Sequence, residues 1–183
     1  MPSAICFRTD FLAFRYGKKL LYILNLERNT MDEATYQKLK SHHAVLPEWK
    51  VINHEFELLL IEEEHFPLRL ILRKMAERLE PVIQILERTI TPDPNSFTDM
   101  YECRCISNGD KKQLLDVFRH LMEHHRLLLE ADVTCDDAME ADTIRKINDL
   151  WATEKKQVIP FLKKIRACWQ RHVEPKEVLD YLG

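Results

Sequence analysis

Apolar residues recur along this chain mainly at helical spacing. Leu68, Leu72, Met75, Leu79, Val82 and Leu86 follow a 4-3-4-3-4 rhythm, which predicts a helix face turned toward neighbouring helices. Leu114, Phe118, Leu121, His125 and Leu128 form a second seam, on a helix expected over about 111–131. A third joins Ile144, Ile147, Trp151, Val158, Phe161, Ile165 and Cys168, on a long helix expected over about 136–171. Glu154 stands on that third seam, between Trp151 and Val158.

Caps and breakers divide the rest. Thr30-Met31-Asp32-Glu33 fits a capping box, so a helix is expected over about 31–43. Pro47 opens a helical region reaching about residue 90, with a kink or break expected at Pro67 and at Pro81. Residues 91–96, Thr-Pro-Asp-Pro-Asn-Ser, read as a loop, and 97–106 as a short helix. Asn108-Gly109-Asp110 reads as a turn with Asp110 as cap, Thr134 to Asp137 as another break, and Pro160 as a bend. Residues 10–27 read as a helix or as a β-hairpin turning at Gly17, and a short helix is expected over 176–182. Together these elements predict one all-α domain over 1–183. It is an antiparallel bundle of four to five main helices, with the main bundle at about 10–171.

Composition narrows the function classes. The 183 residues are 45% apolar and 31% charged, which excludes a disordered chain. Three glycines and the absence of GxGxxG, GxxxxGK[ST] and GxSxG argue against loop-built nucleotide or hydrolase sites. A formal charge of −3 gives no long-range pull toward nucleic acid or anionic lipid. No apolar run reaches 18 residues, so no membrane span is expected, and no secretory signal is evident. With five irregularly spaced cysteines, these features lead to an expectation of reduced thiols in an intracellular, cytoplasmic protein. Cys103-Arg104-Cys105 lacks zinc-site spacing, and the acidic run from Asp132 to Asp142 lacks the pattern of an EF-hand.

The candidate chemistry lies in histidines and acids. His120 and His124 share a helix face at i, i+4, His125 falls on the second seam, and Glu62 and His65 have E-x-x-H spacing. With Glu63 and Glu154 they form a candidate metal-ligand set, since carboxylate and imidazole on facing helices suit iron or manganese. The segment Ile61-Glu62-Glu63-Glu64-His65-Phe66-Pro67-Leu68-Arg69 resembles the acidic motif of hemerythrin-like proteins. A second echo runs from Leu150 through Trp151, Glu154 and Pro160 to Leu162, and Glu123-His124-His125-Arg126-Leu127 resembles that family's histidine-bearing third helix. The resemblance implies a four-helix bundle across about 10–165 and, in its full form, an oxo-bridged di-iron site. Here leucines (Leu58 or Leu59, and Leu150) stand where that family carries histidines before its ligand acids. The resemblance therefore implies the fold and not the oxygen chemistry.

The reading preferred on these grounds is a non-enzymatic helical interaction module or assembly subunit, with a protein partner or a second copy of itself. No cofactor is expected in that reading. The alternative is a bundle that binds a metal, such as iron, or a small ligand. Aromatic residues outside the clean seams, among them Trp49, Phe97, Tyr101 and Trp169, favour the interaction reading, because aromatics anchor interfaces.

Overall fold

The structure, a computed structural model, describes residues 30–61 and 65–170. The segments expected as an N-terminal helix or hairpin and as a C-terminal helix lie outside the described residues. The described chain is all-α, in the order α1 (Glu33–His42), α2 (Trp49–Phe56), a 3-10 turn (Leu58–Leu60), α3 (Pro67–Ile90), α4 (Phe97–Cys105), α5 (Asn108–Thr134) and α6 (Asp137–Trp169).

Three long helices build the core. α3 packs on both α5 and α6, and α5 packs on α6. Ion pairs show the directions. Arg73 near the start of α3 reaches Asp132 near the end of α5 at 3.1 Å. Asp110 at the start of α5 meets Lys164 near the end of α6 at 2.6 Å. α5 is therefore antiparallel to both of its long neighbours. The apolar seams meet between them: Leu68, Leu72, Met75, Leu79 and Leu86 from α3, Leu114, Leu121 and Leu128 from α5, and Ile144, Ile147, Trp151, Val158, Phe161 and Ile165 from α6 are all buried. Val82 and Phe118 are only partly buried, and the adjacent Ile83 and Val117 turn inward instead. A strict 3.5-residue rhythm drifts against the 3.6-residue helix, so the inward position moves by one residue along the seam.

Several boundaries differ from the sequence expectation. Asp32, not Thr30, caps α1, accepting the Thr35 amide at 2.8 Å. In the region 47–90, the kink or break expected near Pro67 is a break. α2 ends at Glu57, which adopts the left-handed conformation (φ 54°), and Pro67 starts α3 rather than bending it. Proline suits a helix's first turn because that N–H has no intrahelical partner. Pro81 and Pro160 lie inside α3 and α6 without ending them. Both prolines are exposed, as are Glu77 and Lys156 four residues earlier, so water can reach the carbonyls that lose a donor.

Residues 108–110 form the first turn of α5 rather than a turn before it. Ser107 is the cap: its Oγ accepts the Asp110 amide at 3.2 Å and donates to the Asp110 carboxylate at 2.8 Å. α5 ends on Cys135 in the left-handed conformation (φ 58°), and Asp136 caps α6 through the Met139 amide at 2.7 Å.

The short helices are tied to this frame by polar contacts. Glu55 of α2 accepts from the Trp151 indole at 2.9 Å and from the Lys155 ammonium at 2.8 Å. α4 is joined to the end of α6 by a Cys105–Cys168 disulfide with its Cα atoms 6.1 Å apart. The expectation of unpaired thiols thus fails for this pair, because the fold brings together two cysteines 63 residues apart. Cys103 and Cys135 are free. No described helix is long and apolar enough to cross a membrane.

Candidate functional site

The candidate ligands separate into distinct environments. His120 and His124 stand one turn apart on α5 and line an open groove of about 480 Å³ against α6, with Arg145, Asp149, Thr153 and Glu154. His120 Nδ1 lies 2.9 Å from Glu154 Oε1. The Glu154 side chain is 5% exposed and the His120 ring 56% exposed. Gln157 donates to the other Glu154 oxygen at 3.3 Å. His124 Nδ1 lies 2.9 Å from the His120 carbonyl oxygen, its partner one turn back. With a proton on Nδ1 in each ring, both Nε2 atoms keep a free lone pair.

His125 faces another way. Its Nε2 lies 3.3 Å from Glu80 of α3, and its buried Nδ1 has no hydrogen-bond partner. His65 is exposed in the bend before α3. Glu62 and Glu63 lie outside the described residues. The structure therefore joins His120 to Glu154 and places His124 beside them, while His125 turns to α3. Among the described residues, no three histidine, cysteine, aspartate or glutamate side chains are grouped to hold a metal ion. The described residues accordingly do not assemble a di-iron ligand set.

Two lysines of α6 are engaged inside the molecule. Lys155 is bonded to Glu55 and Lys164 to Asp110.

A second cluster, which the sequence did not bring together, lies where the start of α3 meets the end of α5 and the start of α6. The Arg69 guanidinium lies 3.5 Å from Asp132 and 3.4 Å from Glu140, and Arg73 adds a second contact to Asp132. Glu140 is 2% exposed. Burial pushes its carboxyl above the ordinary range, and Arg69 opposes that rise. The Phe66 ring packs 4.8 Å from the same guanidinium carbon.

Large apolar side chains on the elements that meet here face solvent. Val133, next to Asp132, is 80% exposed, Leu60 65% and Phe66 59%, and Leu59 and Leu129 are also exposed. Leu129 and Val133 are four residues apart and so share one face of α5. The i, i+4 spacing of Arg69 and Arg73 was the available sequence signal for this cluster. Nothing in the local sequence indicates which acid they meet.

No family model, no curated protein and no solved structure matches this chain.

Proposed function

We propose that this protein is a non-enzymatic helical interaction module, and that it binds another protein chain through the apolar end where α3 and α5 meet. The observation that carries this reading is the exposure of Phe66, Leu129 and Val133 around the Arg69–Asp132 pair. Isolated surface leucines are ordinary, but grouped large apolar residues rimmed by charges mark interaction sites. The occupant this end fits best is a second copy of the chain. Arg73 is paired with Asp132 within the chain but its side chain stays 57% exposed, so in a two-fold pairing it is also accessible to the other copy's Asp132. Light scattering across a concentration series tests the reading. It predicts a dimer that dissociates on dilution, and a monomer at every concentration up to the millimolar range would overturn it.

A second reading rests on a different observation. His120 and His124 each hold Nδ1 in a hydrogen bond, to Glu154 and to a backbone carbonyl. Metal-binding histidines are commonly oriented in this way, with the other nitrogen left for the ion. The reading is a single divalent transition-metal ion held by the two Nε2 atoms, with water completing its shell. Zinc titration followed calorimetrically tests it: binding near one equivalent that His124→Ala abolishes supports it, and no heat of binding overturns it.

A further inference from the structure

We infer that the Cys105–Cys168 disulfide is a reversible latch, and that its redox state decides whether α4 stays docked on the end of α6. α4 has little apolar burial of its own. Asp99 is its one buried residue, and Ile106, just beyond its C-terminus, anchors the connection to α5.

α4 packs on α3 as well as on α6, and its specific contacts to α6 are concentrated around the disulfide. Tyr101 donates its hydroxyl to the Cys168 carbonyl at 3.1 Å, and the Trp169 indole donates to Glu102 at 2.7 Å. The Tyr101 and Trp169 rings lie 4.8 Å apart, with Phe97 stacked 5.7 Å from Tyr101. Trp169 is itself 43% exposed, so this cluster is open to water on one side. Segments with few buried apolar contacts open at low free energy, and a covalent tie at such a segment changes its opening most.

The cysteines suit exchange with a small disulfide such as oxidised glutathione. Cys105 is half-buried and Cys168 is fully buried, so Cys105 meets the reagent first. The Cys105 thiolate attacks one sulfur of oxidised glutathione, forms a mixed disulfide and releases one glutathione thiolate. The Cys168 thiolate then attacks Cys105 Sγ and expels the second glutathione. The two thiol protons end on the two reduced glutathiones, and two electrons pass from the cysteine pair to the reagent. Excess reduced glutathione runs both steps backwards. Cys103, whose sulfur accepts from the Lys111 ammonium at 3.0 Å, stands outside the bridge.

Peptide mapping and amide hydrogen exchange on the full chain, in oxidised and in reduced glutathione, test the latch. Oxidised protein should yield a linked Cys105–Cys168 peptide. On reduction, α4 amides should exchange at least tenfold faster, while amides around Met75 and Leu121 keep their protection. Cys105→Ser should show the fast α4 exchange in both buffers, and Cys103→Ser should behave as wild type. The wild-type comparison stands by itself if Cys105→Ser fails to fold. Absence of the linked peptide under oxidation, equal α4 exchange in the two buffers, or loss of the switch in Cys103→Ser would each overturn the proposal.

Discussion

His120 Nδ1 lies 2.9 Å from Oε1 of Glu154, joining a solvent-facing imidazole on α5 to a carboxylate buried on the apolar seam of α6. Glu154 has Gln157 as its other side-chain partner, at 3.3 Å. Removing the imidazole leaves a buried carboxylate short of a hydrogen bond, which costs more than the bond contributes when made. His120→Ala should therefore destabilise the protein by about 1–2 kcal/mol in urea unfolding. From helical spacing alone this substitution reads as near neutral. The partner across the groove changes that expectation.

His125 behaves in the opposite sense. It already carries an unpaired buried nitrogen and one 3.3 Å contact to Glu80. Replacing it with leucine removes the unpaired atom and extends the Leu121–Leu128 seam. His125→Leu should leave stability unchanged or raise it by up to about 1 kcal/mol in the same assay. A loss above about 2 kcal/mol would show that the Glu80 contact dominates.

Two buried-end carboxylates should give opposite pH dependences. Burial raises the Glu55 pKa, but hydrogen bonds from Lys155, Trp151 and His54 outweigh it, and the net shift is downward. Its stabilising contribution is present above the ordinary glutamate range and is lost as pH falls through the lowered folded value. Glu140 shifts upward, chiefly by burial. Its ionisation costs stability fully above the raised folded pKa, and that cost vanishes below the unfolded value. Glu55→Gln should thus be less stable than wild type at pH 7, with the gap narrower at pH 3. Glu140→Gln should be at least as stable as wild type at pH 7 and lose that advantage under acid. Thermal melts at the two pH values check both.

Glu57 and Cys135 are the positive-φ residues of the described chain, and neither is glycine. Both end helices, a position where glycine avoids the Cβ clash of the left-handed conformation. Glu57→Gly should stabilise the protein by about 0.5–1 kcal/mol in urea unfolding, against the usual direction of glycine substitutions.

The three long helices were legible because their seams are long and periodic. The same arithmetic placed Glu154 on a seam, facing the interior. The position of the break at Glu57 was not legible, since no glycine or proline marks it. Likewise, no local signal pairs Cys105 with Cys168, Arg69 with Glu140, or His120 with Glu154. These are tertiary contacts, and helical spacing shows which residues share a face but not what that face meets. The exposure of Phe66 and Val133 was hidden for the same reason: each reads as an ordinary apolar residue in a helical chain.

The most direct test of the interaction reading compares wild type with a Phe66→Ser, Val133→Ser double variant by sedimentation equilibrium. Both side chains are exposed in the single chain, so the variant should fold and should melt like wild type at concentrations where both are monomeric. The reading predicts that wild type dimerises and that the variant's dissociation constant rises at least tenfold, a loss of about 1.4 kcal/mol or more. Identical association in the two proteins, or none in either, would contradict it.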